Sequence, residues 1–166
     1  MRKIWLVAGL SVTLVAASAT PAVAGDDLPF KVKADRVWAT PMGPNSGCPE
    51  GYVGEESLSI GTGTHLGRFE LLETLCLCFR TPPIAPFEVR GEFVTANGDD
   101  LLFDVYGEFH LGTGEMTRSD LLFVGGTGRF KSTTGGAEEE LICDDTGIIG
   151  VTMEGTISYN ASDGAG

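Results

Sequence analysis

Phe87-Glu88-Val89-Arg90-Gly91-Glu92-Phe93-Val94-Thr95-Ala96-Asn97-Gly98-Asp99-Asp100-Leu101-Leu102-Phe103-Asp104-Val105-Tyr106 is the stretch that decides the fold. Side chains of an extended chain alternate between two faces. Phe87, Val89 and Phe93 therefore share a face before the turn Ala96-Asn97-Gly98, and Leu101, Phe103 and Val105 share one after it. Asn-Gly between two such runs is a hairpin signal, and the two apolar faces coincide only if the loop is odd in length. This predicts a type I turn with Gly98 in the left-handed bulge position. In that register Thr95 falls opposite Asp99, Phe93 opposite Leu101, Arg90 opposite Asp104 and Glu88 opposite Tyr106. Sliding by two residues would oppose Glu92 with Asp104 and Glu88 with Glu108, which like-charge contact disfavours.

Working outward, Phe30, Val32 and Ala34 alternate with Lys31, Lys33 and Asp35 as a first strand running towards Trp38. Short candidate strands recur over 57–64, 69–80, 101–111, 116–124, 137–143 and 148–159, most of them bounded by glycine, proline, asparagine or aspartate. The segment 40–51 is dense in turn formers and reads as a loop tied down by Cys48. No stretch of useful length shows apolar residues at helical spacing without glycine inside it. The fold class expected is all-β: one small antiparallel β-barrel of about eight strands, calycin-like, closed so that no edge is left open.

The N-terminus reads as a signal peptide over residues 1–24. Arg2 and Lys3 form the positive region, Ile4 to Ala17 the apolar stretch, and Ala22-Val23-Ala24 the small-x-small cleavage pattern. Cleavage after Ala24 leaves 25–166 as a single domain with an ordered core over 29–160, secreted or periplasmic. No cysteine follows the cut and the C-terminus is polar, so neither a lipid anchor nor stable membrane insertion is expected. Loss of Arg2 and Lys3 takes the net charge from −12 to −14. That sign opposes a phosphate backbone, so no nucleic-acid partner is expected.

Four cysteines in an exported chain read as disulfides. Cys76 and Cys78 point to one face of a strand whose other face carries Leu75, Leu77 and Phe79, and residues two apart on a strand are poorly placed to bridge each other. The expectation is that Cys48 and Cys143 each pair with one of Cys76 and Cys78. A lone C-x-C without a nearby histidine does not make a tetrahedral metal site, and neither a metal nor a cofactor is expected.

The face of the hairpin away from Phe87, Val89, Phe93 and Phe103 collects Glu88, Arg90, Glu92, Asp104, Tyr106, Glu108 and His110. A solvated surface is the ordinary fate of such a face. Were it to line the barrel interior, Tyr106, His110, Asp104 and Arg90 would be the first suspects as acid, base and positioning groups. Gly125-Gly126-Thr127-Gly128-Arg129-Phe130 lacks the Gly-Lys-Ser/Thr of a phosphate loop and the helix that would follow it. Asn97-Gly98-Asp99-Asp100 lacks the spacing of an EF-hand. Glu138-Glu139-Glu140 reads as an exposed strand edge whose charge discourages aggregation.

Gly125-Gly126-Thr127-Gly128-Arg129-Phe130 resembles the Gly-Gly-Thr-Gly-x-Phe signature of dirigent and allene oxide cyclase-like β-barrels. Thr64-His65-Leu66-Gly67-Arg68-Phe69 and Ala96-Asn97-Gly98-Asp99, in that order before it, look like a set shared by exported bacterial proteins of this barrel type. The resemblance covers 64–136, about half of the mature domain. It implies an eight-stranded antiparallel barrel with an apolar cavity, in a superfamily whose members cyclise fatty-acid epoxides or guide phenoxy coupling. The motif supplies turn geometry there rather than reacting groups, and Lys131-Ser132-Thr133-Thr134-Gly135 stands where dirigent proteins have Ala-Arg-Gly. The function expected is therefore binding of a small apolar ligand, or a structural role without catalysis. The alternatives are a cofactor-independent cyclase or isomerase acting on a lipid or phenolic substrate, and a protein-interaction module.

Overall fold

The computed structural model describes residues 27–43, 47–78, 82–113 and 115–159, with the side chains of 115–118 left aside. The signal peptide and its cleavage site lie outside the described residues. Eight antiparallel strands follow one another in a closed meander: β1 (Leu28–Pro41), β2 (Tyr52–Gly63), β3 (Gly67–Cys78), β4 (Ile84–Thr95), β5 (Asp100–His110), β6 (Glu115–Gly126), β7 (Thr134–Asp144) and β8 (Gly147–Ser158), with β8 pairing back onto β1. One turn of 3₁₀ helix, Gly128–Phe130, lies between β6 and β7. The all-β barrel expected from the sequence is the fold observed.

The decisive hairpin has the expected register. Phe93 pairs with Leu101, Arg90 with Asp104 and Glu88 with Tyr106. The Thr95 amide donates to the Asp99 carbonyl at 3.1 Å, and Gly98 sits at φ +87°, where a side chain would be strained. A charge-matched, odd-loop hairpin thus forms because it puts both apolar faces inward and keeps like charges from facing each other.

Call the upper end of the barrel the one that carries the turns after β2, β4 and β6. Its interior is filled. Phe30, Phe69, Phe93, Phe103 and Phe123 are all buried, and their rings meet edge-on or tilted, with centroids 4.8 Å apart for Phe30–Phe123 and 5.0 Å for both Phe69–Phe93 and Phe93–Phe103. Such pairs add to the burial term.

One joint of the ring is short. β6 and β7 share only three paired positions, from Asp120–Glu138 to Leu122–Gly136, whereas every other neighbouring pair shares eight or more. Below that joint the two strands part. Glu138 and Glu140 are exposed as expected, but the alternation turns Glu139 inward, so the reading of all three as an outer edge is corrected.

Cys48 and Cys76 form a disulfide with Cα atoms 5.5 Å apart, pinning the 42–51 loop to β3. The second expected pair is corrected: Cys78 is a buried thiol and Cys143 an exposed one. The reason is topological. Cys78 ends β3 and Cys143 lies near the end of β7, with three strands between them whichever way round the ring is followed. That places them on opposite walls, beyond the span of about 7 Å that a disulfide tolerates.

Candidate functional site

Inward positions on three strands change character on passing from the upper to the lower half. On β1 the inward row runs Phe30, Val32, Ala34 and then Arg36. On β3 it runs Phe69, Leu71 and then Glu73, and on β7 Ala137 and then Glu139. β2 adds the buried Ser57 and Ser59, with the half-buried Glu55 below them. One cation and three carboxylates therefore face the same stretch of interior.

Their bonding is uneven. Arg36 Nη1 lies 3.6 Å from Glu55 Oε1, with side chains 19% and 35% exposed. Ser57 Oγ donates to Glu73 Oε2 at 3.3 Å. Glu139 is acted on by the charges of Glu73 and Arg36 without a hydrogen bond to either, and on the facing side of the β6–β7 gap the buried Ser119 Oγ has no hydrogen-bond partner among the described residues. Burial raises the Glu73 carboxyl above the ordinary range; Arg36 and the Ser57 hydrogen bond oppose that rise and Glu55 adds to it. Burial, reinforced by the negative charge of Glu73 and opposed by Arg36, pushes Glu139 up to about 8. The Ser57 hydrogen bond favours the ionised form of Glu73, whereas at Glu139 no hydrogen bond joins Arg36 in opposing protonation. Of the two carboxyls Glu139 is therefore the readier to hold a proton.

Below the polar ring the inward residues are apolar again, but they are not sealed. Leu75, Leu77, Phe109 and Leu141 pack on the underside of the core while remaining only half-buried, in contrast to the fully buried phenylalanines above. The interior is thus layered, with an aromatic core above, a band of carboxylates and one guanidinium, and half-buried apolar residues towards the lower end, a region we call the cup.

The upper end is closed by the three motif blocks together. Phe130 is fully buried at the top of the core, 5.3 Å from the Tyr159 ring. Arg129 lies over the Phe130 ring at 4.7 Å, donates from Nη2 to the His65 carbonyl at 2.9 Å, and has its Nε 3.7 Å from Asp99 Oδ2. His65 Nε2 donates to the Pro29 carbonyl at 3.1 Å, which leaves Nδ1 to accept from the Tyr159 hydroxyl at 3.1 Å. Thr127 accepts from the Asp100 amide at 2.8 Å through its hydroxyl. Gly128 is at φ +51°, and a Cβ there would overlap the Asp99 carboxylate. Gly125 to Phe130, His65 and Asp99 are therefore parts of one plug, which explains their joint occurrence without any role in chemistry.

The sequence candidates lie elsewhere. Arg90 is exposed and Tyr106 is 52% exposed, and with Asp104 they occupy the outer wall, opposite in direction to Val89, Phe103 and Val105. His110 ends β5 at the lower rim, half-buried, with its Nδ1 unpartnered. The residues that sequence reasoning missed, Arg36, Glu73 and Glu139, each carried a signal: a charge interrupting an otherwise apolar period-two row.

No protein-family model and no curated protein matches the sequence. Among solved structures the chain is similar to a pterocarpan synthase dirigent protein, at 16% identity and a TM-score of 0.54, over 89% of this chain and 99% of that one. That likeness over nearly the whole of both chains, together with the closed eight-stranded ring seen here, gives the conclusion that this chain folds as a dirigent-like β-barrel.

Proposed function

We propose that the barrel binds a small, largely apolar molecule in the lower half of its interior. The observation that carries this reading is the half-exposure of the inward-facing Leu75, Leu77, Phe109 and Leu141 beneath a fully packed upper core. Apolar side chains that face inward yet remain accessible are what a ligand's body would cover, and convergent polar groups beside them would orient it. Eight-stranded barrels are of a size to hold one small ligand. Export is part of the proposal: the N-terminal leader pattern and the Cys48–Cys76 bond both suit an oxidising compartment.

The test uses a neutral apolar fluorophore, N-phenyl-1-naphthylamine, titrated into the mature protein. Saturable enhancement is expected, and Leu141→Trp, which fills the cup, should abolish it while Arg90→Ala on the outer wall leaves it unchanged. Equal binding by Leu141→Trp would sink the proposal.

A second reading is favoured by the proton on Glu139: acid–base catalysis on a lipid or phenolic molecule in the same cup, with Glu139 as acid and Glu73 as base. The similar dirigent protein is a pterocarpan synthase, in line with this reading. Its signature would be a variant, Glu139→Gln, that still binds the substrate but no longer turns it over.

A further inference from the structure

We infer that the cup selects a protonated amine on an apolar body, the ammonium seated between Glu73 and Glu139 and the hydrocarbon along Leu75, Leu77, Phe109 and Leu141. This rests on the proposal that the cup is a binding cavity, and adds the chemical class of what it holds.

Charge and hydrogen-bond capacity lead to it. Three carboxylates face one guanidinium, and Arg36 is already paired with Glu55. Glu73 takes the Ser57 hydroxyl, whereas Glu139 feels the charges of Glu73 and Arg36 without a hydrogen bond to either, and the buried Ser119 Oγ has no hydrogen-bond partner among the described residues. Among the described residues β4, β5 and β8 supply no counter-ion at this level, since their inward residues there, such as Val89, Val105 and Met153, are apolar. Acceptors among the described residues therefore outnumber cations. An ammonium brings one positive charge and three donors, and bonds to charged acceptors are the stronger kind. An alcohol brings a single donor and leaves the charge uncompensated, whereas a carboxylate adds a fourth anion.

Burial and the negative charge of Glu73 favour the protonated form of Glu139 while the cup is empty. An ammonium entering at neutral pH displaces that proton to the buffer base, so the O–H bond lost at Glu139 is replaced by one on the buffer and the charge of the cup is unchanged. Proton release separates this mode of binding from simple apolar uptake.

The experiment is isothermal calorimetry of the mature protein with octylammonium, 1-octanol and octanoate, near neutral pH, in two buffers of different ionisation enthalpy. Octylammonium should bind at least about tenfold more tightly than octanol, with release approaching about one proton per ligand, and octanoate should not bind. Glu139→Gln, checked for a native melting transition, should lose about tenfold in octylammonium affinity together with the proton release, and keep its octanol affinity within about threefold. Glu73→Gln serves in the same way if Glu139→Gln fails to fold. Octanol binding as tightly as octylammonium, or octylammonium binding without proton release, overturns the amine assignment; the cup reading survives if Leu141→Trp still blocks uptake. Binding of all three ligands that is indifferent to Leu141→Trp, or no binding at all, overturns both.

Discussion

Gly91 on β4 pairs with Phe103 on β5, and the Phe103 ring lies over Gly91 in the space a Cβ would fill. The ring is 1% exposed and packed against Phe93, so it has little room to withdraw. Gly91→Ala should therefore destabilise the protein by about 1–3 kcal/mol, the usual cost of overpacking a core. Gly43→Ala, with nothing within 4 Å of its Cβ, is the control and should stay within about 0.5 kcal/mol. Thermal unfolding of the two variants checks this directly.

The raised carboxyl of Glu139 makes stability depend on pH. Its ordinary value is 4.5 and its value in the fold is about 8, so between those two limits the folded state binds more protons than the unfolded chain. Stability must then fall as pH rises through that window and level off above it. Allowing for solvent reaching the cup, the loss should amount to about 2–4 kcal/mol. Glu139→Gln should flatten this part of the profile and melt higher than the parent on the alkaline side; a parent whose stability is level across the window would contradict the assignment.

The Cys48–Cys76 bond closes a loop across a sequence separation of 28. Its loss in Cys76→Ser should cost about 3–4 kcal/mol by the chain-entropy estimate. Alkylation of the folded protein should modify Cys143 quickly and Cys78 only after unfolding, because one thiol is exposed and the other buried. Rapid modification of both, or of neither, would contradict this pairing.

Phe130 is the stopper of the upper end, fully buried against Tyr159 and under Arg129. Phe130→Ala should cost about 3–5 kcal/mol, as other buried phenylalanine truncations do. Because the cup opens at the other end, the variant should still take up the fluorophore at temperatures where it remains folded. Uptake lost from a folded Phe130→Ala would place the ligand at the wrong end.

Tyr106→Phe and Arg90→Ala alter the outer wall alone, where Tyr106 is 52% exposed. Each should change stability by no more than about 0.5 kcal/mol and leave ligand affinity as it was. A marked effect on binding from either would return the site to the hairpin's outer face.

Much of the barrel was legible because each strand is a short period-two row between turn formers, and because the Asn97-Gly98 hairpin has one register that satisfies both charge and burial. The polar band was harder to read. Glu139 sits in a run of three glutamates that looks like a solvated edge until β6 and β8 are known to flank it, and Glu73 and Arg36 are single charges that local sequence cannot assign to the inside. Cys143 was likewise paired by counting, when only the order of strands around the ring shows that β3 and β7 never meet. Local alternation reports which side chains share a face; closure decides which face is the interior.

The three-position joint between β6 and β7 gives the wall a weak place. Structures open first where the fewest hydrogen bonds must break, so the amides of Gly136 to Glu138 should exchange with deuterium ahead of those in the long hairpins. In that respect the protein is a curled sheet held by a short clasp. Glu139 and Ser119 stand at the unfastened side of that clasp, so the wall gives first beside them while the stopper stays in place.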